Sequence, residues 1–343
     1  MELTVKTLER DHQSRWDDFV NQCDTATFFH KAGWKTVLER AFGHKTHFLY
    51  AERNGNITGV LPLAQVKSAL FGHSLASLPF CVYGGIAASD PESEQALREA
   101  ACKLAENLKV DALEMRNLNP TDTDWPKKDL YATFRKPIGP DHDENMKGIA
   151  PKQRTMIRKG IRSGLEGELD AGVDRIYKVY SESVRNLGTP VFSKKYFKVL
   201  RDVFGEDCDV LMIRYEGVDV AGVLSFYFKG EVLPYYGGSI EQAREIKAVN
   251  HFMYWDLMCR AADRGCTSFD FGRSKVGTGP YLFKKNYGFD PEPLPYEYFL
   301  VKSEAVPEVN PNNPKYKHFI NLWKMLPLPV ANMIGPFLAR SLG

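Results

Sequence analysis

Hydrophobic and polar positions along this chain form a pattern of strands and helices that occurs twice. In the first half, residues 46–52 and 57–66 are two stretches rich in apolar residues, and the Asn54-Gly55 pair between them is typical of a hairpin turn. A third apolar run, at 75–83, ends at Gly84-Gly85. These runs predict two antiparallel strands followed by a third strand.

A long helix and one more strand follow in the same half. Asp90 is a typical helix N-cap, Pro91 suits the first helical position, and the helical pattern continues to about Leu108. The next predicted strand, at 112–117, follows this helix, and strands joined in that way run parallel with a right-handed crossover. The first half therefore predicts a mixed α/β sheet with one parallel pair of strands.

The second half repeats this order roughly 160 residues later. Residues 213–223 read much like residues 50–60, and each copy continues to a Gly-Gly turn, a helix and a short strand that carries a carboxylate. Each half also has two helical stretches before its first strand. In the second half we predict strands at 210–215, 221–228, 233–236 and 267–271, with helices at 174–186, 194–204 and 248–264.

We expect two α/β domains, at 1–145 and 146–305, because each half holds a complete set of elements and proline, glycine and acidic residues cluster at 137–150. Two similar lobes would offer a groove between them as a binding site. The remaining segment, 306–343, is apolar and contains Trp323, and we expect it to pack on the N-terminal domain. The alternative for this tail is a contact with a partner or a peripheral contact with the inner face of the membrane, for which Lys315, Lys317 and Lys324 supply positive charge.

Composition and charge exclude several classes of protein. Of the 343 residues, 43% are hydrophobic and 26% are charged, so the chain can bury two full cores and is not intrinsically disordered. A formal net charge of +2 gives no overall attraction to nucleic acid or anionic lipid, so electrostatic recognition must be local. No run of about 18 apolar residues and no secretion signal is apparent, which predicts a cytoplasmic protein without an integral membrane span.

Cysteine and histidine usage points away from disulfide and metal chemistry. Six cysteines are scattered without a C-x-x-C pair, as expected for reduced and mostly buried thiols in the cytoplasm. His44 and His47 have the spacing of metal ligands, but no thiol or acidic partner stands beside them. We therefore expect no metal site.

The order of elements and one closing segment resemble a known fold. Two helices, a hairpin, a third strand, a helix and a strand, followed by Tyr281-Leu-Phe-Lys-Lys-Asn-Tyr-Gly-Phe289, are similar to the GNAT acyltransferase fold. A duplicated unit of this kind is the hallmark of the FemAB family, the non-ribosomal aminoacyltransferases that build peptidoglycan cross-bridges. Segments 28–35, 151–160 and 283–288 match the FemAB pattern, and with 78–85 the chain most resembles the FemAB-like proteins associated with PEP-CTERM and exosortase exopolysaccharide systems.

The resemblance implies an N-acyl- or aminoacyltransferase that forms an amide on an amine of a cell-envelope or exopolysaccharide precursor. The acceptor would carry phosphate as part of a nucleotide- or lipid-linked sugar, and the donor would be aminoacyl-tRNA or acyl-CoA, with no tightly bound cofactor. The glycine-rich loop that cradles the CoA pyrophosphate in ordinary GNAT proteins is missing, which argues against simple dependence on acetyl-CoA. Two alternatives stay open: an acyl-CoA-dependent N-acetyltransferase of an amino sugar, and a non-catalytic module that binds a polysaccharide or its precursor.

A row of basic residues opens the second half. Residues 152–162 contain five Lys or Arg and no acid, and Arg154 and Arg158 share one helix face, where a like-charge pair at i, i+4 costs about 0.2–0.5 kcal/mol. Such a row fits a diphosphate or an RNA backbone, and the alternative is a solvated face paired with acids at 166–168. The FemAB resemblance implies that Arg154 or Arg158, with Lys35, grips the diphosphate of the acceptor.

Four residues near the end of the second repeat are candidates for the transfer chemistry. The resemblance places Lys284, after Phe283, at the transfer site, where its ammonium group could stabilise the oxyanion that forms as an amine attacks an ester or thioester. Asp270 and Arg273 lie at the carboxyl end of a strand, where a carboxylate can orient the nucleophile and an arginine can contact substrate. The alternatives are an exposed lysine on a short helix and a structural salt bridge within the sheet.

Two tyrosines precede the Gly-Gly turns, Tyr83 in the first repeat and Tyr236 in the second. Glycine lets a ligand approach the backbone closely, and a tyrosine there could donate to a carbonyl or stack on a sugar or base. Both are therefore candidate substrate contacts, although strand-end aromatic residues often belong to the core. No Ser-His-Asp or Cys-His arrangement with interpretable spacing is present, which favours direct attack by the amine over a covalent enzyme intermediate.

Overall fold

The computed structural model describes residues 2–68, 72–246, 248–306 and 314–342. Local sequence signals account for the main elements of the first part. The Asp90 side chain accepts a hydrogen bond from the backbone N–H of Ser93 and so caps the helix that begins at Pro91, as predicted. In chain order this part contains β1 (Leu3–Thr7), α1 (Gln13–Gln22), α2 (Gly33–Val37), β2 (Thr46–Arg53), β3 (Asn56–Ser68), β4 (Gly72–Ser77), β5 (Ala87–Ala88), α3 (Pro91–Leu108), β6 (Ala112–Arg116) and β7 (Lys127–Lys128).

The second part repeats the pattern after two additional short helices. Ser193 caps α7 through the backbone N–H of Tyr196. The elements are β8 (Tyr131–Pro137), α4 (His142–Lys147), α5 (Pro151–Arg162), β9 (Glu166–Leu169), α6 (Asp174–Leu187), α7 (Lys194–Phe204), β10 (Cys208–Tyr215), β11 (Val218–Phe228), β12 (Glu231–Ser239), α8 (Ala243–Ile246), α9 (Val249–Asp263), β13 (Ser268–Asp270), β14 (Ser274–Lys275), α10 (Gly279–Asn286), β15 (Pro291–Pro293), β16 (Tyr296–Leu300), α11 (Pro314–Met325) and α12 (Leu328–Ala339).

The strands form two mixed sheets of the same design. In the first, the order is β1-β2-β3-β4-β6-β16-β7, with β5 paired to β3; in the second it is β9-β10-β11-β12-β13-β8-β14, with β15 paired to β8. Within the described strands, β4 with β6 and β12 with β13 are the parallel pairs, and a long helix, α3 or α9, joins each of them. The matching orders confirm the predicted mixed α/β fold in two copies.

Each sheet takes one strand from the other repeat of the chain. β16 follows the second repeat but pairs antiparallel with β6 in the first sheet, where Tyr296 lies opposite Arg116. β8 follows the first repeat but pairs antiparallel with β13 in the second sheet, where Arg135 lies opposite Asp270. Both exchanged strands cover what would otherwise be open sheet edges.

The exchange moves the limits of the compact units away from the predicted domain boundaries. Residues 131–145, expected in the N-terminal domain, belong to the second unit because they contain β8, and residues 294–305, expected in the C-terminal domain, belong to the first because they contain β16. Of the described residues, the first unit consists of those up to 130 with 294–306 and 340–342, and the second of those in 131–293 and 314–339.

Most of the C-terminal tail packs on the second unit, which corrects the prediction that it covers the N-terminal domain. Both α11 and α12 contact α6, and the Asn332 side chain donates to Ser181 Oγ at 3.3 Å. α12 can approach the backbone at Val191 closely because Gly335 has no side chain: a Cβ added there would lie 3.0 Å from the backbone nitrogen of Val191. The end of the tail joins the first unit. Residues 307–313 and 343 of the predicted tail lie outside the described residues.

The third strand of the first unit is shorter than predicted. It ends at Ser77 rather than near 83, because Leu78 and Phe80 take positive φ values of 51° and 70° that end an extended strand. The segment from Leu78 to Tyr83 is nevertheless almost completely buried. None of the helices in the described part of the chain is both long and apolar enough to cross a membrane.

Candidate functional site

Lys284 lies half-buried on α10 in the second unit. Its Nζ donates to the backbone carbonyl oxygens of Gly272 at 2.9 Å and of Arg273 at 3.3 Å. The same nitrogen is 5.8 Å from the centroid of the Phe134 ring, close enough for a cation–π contribution. The side chain therefore turns back to the loop that follows β13, instead of extending into solvent as the alternative had it.

Burial lowers the pKa of Lys284 to about 8, although the charge of Asp270 acts in the opposite direction. Arg273 adds to the lowering because like charges repel. None of the described carboxylates forms an ion pair with this ammonium group, which is held by backbone carbonyls. A pKa near 8 leaves roughly a tenth of the groups neutral at pH 7. The side chain can donate a hydrogen bond as an ammonium or accept a proton as an amine.

Asp270 shapes the turn that receives Lys284. Its carboxylate is fully buried and accepts hydrogen bonds from Thr133 Oγ1 at 2.9 Å and from the backbone N–H of Gly272 at 2.7 Å. Gly272 has a φ of 70°, which suits glycine and allows its N–H to face the carboxylate while its carbonyl accepts from Lys284. Because the carboxylate is enclosed, this geometry favours the structural alternative, with Asp270 positioning Lys284 rather than the nucleophile.

Arg273 and Phe283 lie in the same region of the second unit. The Arg273 guanidinium is 4.5 Å from the centroid of the Tyr131 ring, and the Phe283 ring contacts those of His251 and Tyr287 at centroid distances of 5.2 and 5.0 Å. Both side chains are half-buried. The second unit thus brings together four of the residues predicted from the sequence: Lys284, Asp270, Arg273 and Phe283.

Glu231, at the start of β12, is a candidate that sequence reasoning missed. Its Oε2 accepts from Arg135 Nε at 3.2 Å, from Arg135 Nη2 at 3.0 Å and from Ser268 Oγ at 3.2 Å. Burial, followed by the charge of Asp270, raises the pKa of Glu231 to about 7 despite this pairing. A carboxyl group that titrates near neutrality can exchange a proton during turnover. The exchanged strand β8 supplies Arg135, so no local sequence pattern indicates this pair.

His251 is a second residue that sequence reasoning missed. Its ring stacks on Tyr287 with centroids 5.5 Å apart, and its Nδ1 lies 3.2 Å from the Tyr287 hydroxyl. Burial lowers the pKa of His251, so the neutral imidazole predominates at pH 7. A neutral imidazole can act as a general base. The sequence signal is weak, because a single histidine in a helical pattern is more often structural.

The basic row of α5 is unpaired. Arg154 is half-buried and Arg158 is exposed, and within the described part of the chain neither side chain forms an ion pair or a hydrogen bond. Of the acids that might have neutralised them, Glu168 instead pairs with Arg175. The helix packs on α9 through Gly160, where an added Cβ would lie 2.9 Å from Phe252. This arrangement favours anion binding over the paired alternative.

Lys35, predicted to act with these arginines, belongs to the first unit. Its Nζ donates to Glu39 Oε1 at 2.5 Å and to Thr46 Oγ1 at 2.7 Å. A phosphate would have to compete with that carboxylate for the ammonium group. A diphosphate site that combines Lys35 with Arg154 and Arg158 of the second unit stays a prediction.

The first unit contains a cavity of about 130 Å³ beside Tyr83. Its lining includes the Gly84-Gly85 turn, Arg98 and Asn117, so it lies beyond the carboxyl ends of the parallel strands β4 and β6. The backbone N–H of Gly85 donates to the carbonyl of Arg116 at 3.1 Å and ties the two strands together there. Ligands of open α/β sheets bind in this position. Tyr83 is therefore placed where a substrate contact was expected.

A buried carboxylate organises the polar wall of this cavity. Glu297 of β16 is fully buried and accepts hydrogen bonds from Asn117 Nδ2 at 2.9 Å and from Thr121 Oγ1 at 2.5 Å. Arg98 Nη1 lies 4.0 Å from Glu297, and its other terminal nitrogen pairs with Glu94. Asn117 and Glu297 are 180 residues apart in the chain, so no local sequence pattern links them.

Close packing fixes the Gly84-Gly85 turn. A Cβ added at Gly85 would overlap Asn117 Oδ1 and lie 3.2 Å from Asn117 Cα, so any larger residue would have to displace Asn117. His30 Nδ1 accepts from the backbone N–H of Thr27 at 3.0 Å, which leaves the proton on Nε2 to donate to the Gly85 carbonyl at 2.9 Å. The glycines thus serve the packing of the turn as well as access to the cavity.

Tyr236 lies in the core of the second unit. It is 8% exposed, its hydroxyl is 2.9 Å from that of Tyr196, and its ring is 5.4 Å from the Phe197 ring. This environment favours the core alternative over a substrate contact. The register between β11 and β12 shifts beside it, which makes Tyr235 the extra residue of a β-bulge, a feature common next to active sites.

His44 and His47, whose spacing resembled that of metal ligands, are in different surroundings. His44 Nε2 donates to the backbone carbonyl of Arg340 at 2.9 Å, and its ring stacks on Phe42 with centroids 5.8 Å apart. Burial lowers the pKa of both histidines. Among the residues that the structure describes, no group of three or more His, Cys, Asp or Glu is placed to hold a metal ion.

Comparison with known proteins identifies the fold. The family model described as an acetyltransferase (GNAT) domain matches residues 151–285, within the second unit. No curated protein matches the sequence of the chain. Among solved structures, FemX is 16% identical, with 88% of this chain and 98% of that chain covered and a TM-score of 0.70.

Two further solved structures align with this chain over most of their length. The C-terminal domain of a putative lysylphosphatidylglycerol synthetase from Agrobacterium fabrum is 13% identical, with 84% of this chain and 91% of that chain covered and a TM-score of 0.56. A tandem GNAT protein from the clavulanic acid biosynthesis pathway is 13% identical, with 89% and 100% covered and a TM-score of 0.55. The chain therefore has two tandem GNAT-like folds, as the sequence predicted.

Proposed function

We propose that this protein is an N-acyl- or aminoacyltransferase that forms an amide on an amine of a cell-envelope or exopolysaccharide precursor. The observation that carries the proposal is the Lys284 ammonium group, which two backbone carbonyls hold in the second unit with its pKa lowered to about 8. A partly desolvated donor of this kind suits a reaction that develops negative charge on an oxygen. The matching family model, named for acetyl transfer, supports the same reaction class.

The reaction begins when the unprotonated amine of the acceptor attacks the carbonyl carbon of an ester or thioester donor. A C–N bond forms, the carbonyl oxygen becomes an oxyanion, and Lys284 donates a hydrogen bond to that oxygen. The C–O or C–S bond then breaks, and the leaving group departs as a hydroxyl or a thiol after taking up the proton lost by the amine nitrogen. The neutral His251 imidazole, beside Phe283, is the candidate carrier of that proton.

Phosphate on the acceptor would bind to the unpaired arginines of α5. Arg154 and Arg158 can each present a planar fork of donors to a phosphate, which a nucleotide- or lipid-linked sugar supplies. The structural neighbours FemX and a putative lysylphosphatidylglycerol synthetase support an aminoacyl variant of the reaction, because lysylphosphatidylglycerol is an aminoacyl phospholipid. Participation in PEP-CTERM or exosortase systems is proposed from the sequence resemblance, and a cytoplasmic site of reaction accords with such a precursor.

The donor is the point on which two versions of the proposal differ. The GNAT family model favours acyl-CoA and hence N-acetylation of an amino sugar, whereas the missing glycine-rich loop favours aminoacyl-tRNA. Thermal stabilisation by CoA esters without stabilisation by aminoacyl-tRNA selects the first version, and the reverse selects the second.

The proposal is tested by mass spectrometry of amide products formed from acetyl-CoA or aminoacyl-tRNA and nucleotide-linked amino sugars. We expect Lys284→Met to reduce turnover by about 10²–10³-fold. Lys285→Met is the matched control, because Lys285 is an exposed neighbour on the same helix, and it should retain turnover. Tight binding of a glycan with no turnover of any donor would replace the proposal by the non-catalytic binding module.

A further inference from the structure

The last helix, α12, presents its large apolar side chains to solvent and its small residues to the protein. Ala331, Gly335 and Ala339 are its buried residues, whereas Met333 and Phe337 are 64% and 71% exposed. A surface helix of a globular protein normally shows the opposite distribution, with large apolar residues inside. Burial within this chain therefore does not explain the choice of methionine and phenylalanine on the outer face.

The preceding helix, α11, also exposes large apolar side chains, although it buries one. Trp323 is 3% exposed and anchors the helix, while Phe319, Leu322 and Met325 are 40%, 67% and 79% exposed. Their spacing of three residues places them along one side of the helix. Two consecutive helices thus expose rows of large apolar residues, which a water-soluble surface seldom tolerates without a partner.

All the formal charges in this segment are positive. Residues 314–342 contain three lysines and one arginine and no Asp or Glu, whereas the whole chain has 43 acidic residues. Lys324 and Arg340 are exposed, and within the described residues neither side chain forms an ion pair. A partner that covers these rows of apolar residues must therefore carry negative charge where it meets the basic residues beside them.

We propose that α11 and α12 form a docking surface for an anionic phospholipid membrane. The exposed apolar side chains would enter the boundary between headgroups and acyl chains, while Lys324 would meet lipid phosphates. A second copy of the chain is a poorer partner, because pairing the two segments would bring positive charges together with no acid in either segment to offset them. The inference goes beyond the proposed transfer reaction and is independent of it.

The test measures cosedimentation of the full chain with vesicles of phosphatidylcholine, with or without about a third of phosphatidylglycerol. We expect about tenfold stronger binding to the anionic vesicles, with partial loss as the salt concentration rises. The double substitution Met333→Glu and Phe337→Glu should weaken binding by at least about tenfold. Its melting temperature should stay unchanged, because both side chains are exposed. Lys324→Glu should weaken binding to the anionic vesicles alone.

Val218→Glu is the matched control, because Val218 is a 54% exposed apolar residue far from the tail in the chain, and it should bind vesicles as the unaltered protein does. Leu322→Glu with Met325→Glu on α11 repeats the test if the α12 variant is poorly folded. The proposal is overturned if the unaltered protein ignores anionic vesicles, binds neutral ones equally, or binds as well after the substitutions. A dimer that these substitutions dissociate, in the absence of vesicle binding, would assign the surface to a second copy of the chain instead.

Discussion

Replacing Lys284 by methionine separates a functional role of this residue from a structural one. In the folded protein the pKa of Lys284 is about 8, compared with 10.5 for an unperturbed lysine. The difference is about 2.5 units, and each unit corresponds to about 1.36 kcal/mol. The side chain keeps some contact with solvent, which reduces the cost of burying its charge. We therefore expect the charged ammonium group to lower the free energy of unfolding at neutral pH by at most about 3 kcal/mol.

Methionine keeps most of the side-chain length and removes the charge. It loses the hydrogen bonds to the carbonyls of Gly272 and Arg273, and it also loses the unfavourable burial of the ammonium group. These effects oppose each other, so we expect Lys284→Met to match the unaltered protein in free energy of unfolding within about 1 kcal/mol at pH 7. Turnover should fall by about 10²–10³-fold. Urea unfolding and product formation measured on the same samples give both numbers.

The pH dependence supplies a second readout. The pKa of Lys284 is lower in the folded protein than in the unfolded chain, so the unfolded chain binds more protons between pH 8 and 10.5. The free energy of unfolding therefore increases with pH over that window, compared with Lys284→Met. If the ammonium is the active form, turnover falls above pH 8, and Lys284→Arg, which keeps its charge, removes that decline. Full turnover by Lys284→Met, or a loss of stability greater than about 3 kcal/mol, would refute the reasoning, because the lysine would then be dispensable or structural.

Three other changes test the remaining parts of the site. Gly85→Ala should lower the free energy of unfolding by about 1–3 kcal/mol in urea, because its Cβ meets Asn117 Oδ1, while Gly139→Ala, where an added Cβ has open space, should change it by less than about 0.5 kcal/mol. In the unaltered protein, stability should decline as the pH rises from 4.5 to 7, because the raised pKa of Glu231 makes the folded protein bind more protons than the unfolded chain there. Glu231→Gln should remove this decline, which melting curves measure. Arg158→Gln should weaken calorimetric binding of a nucleoside diphosphate about tenfold and leave the melting temperature unchanged, since the side chain is exposed and unpaired.

Local signals made the order of elements predictable from the sequence. The cap at Asp90 and the hairpin turn at Asn54-Gly55 act through their immediate neighbours, so they give the same structure wherever they occur. Because the order of elements repeats, the mixed sheet and its parallel pair of strands could be predicted for both halves. Among the candidate residues of the second unit, Asp270 and Arg273 were predicted from their position at the end of a strand, whereas Lys284 was predicted from the family resemblance.

Contacts between distant segments could not be predicted. The pairs Glu297 with Asn117 and Glu231 with Arg135 depend on the exchanged strands β16 and β8, which lie outside the repeated pattern. The surroundings of individual side chains could not be predicted either. Tyr83 and Tyr236 both precede a Gly-Gly pair, but the pair after Tyr236 continues strand β12 instead of forming the predicted turn. Tyr83 lines a cavity, whereas Tyr236 is enclosed by aromatic rings. A sequence motif gives the position of a side chain along a strand but not the residues packed against it.

The two copies of the fold have diverged at equivalent places, the carboxyl ends of their parallel strands. In the second unit, β13 leads through the Gly272 turn to α10, which carries Lys284. In the first unit, β6 leads to residues 117–126, which contain no helix, contribute to the cavity and contact Glu297. A loop that forms a cavity suits the holding of a ligand, whereas a partly desolvated lysine suits chemistry. Under the proposed function, duplication would allow such a division, because one copy could lose a catalytic side chain while the other keeps it. The match of the GNAT family model to 151–285, in the copy with the lysine, accords with that division.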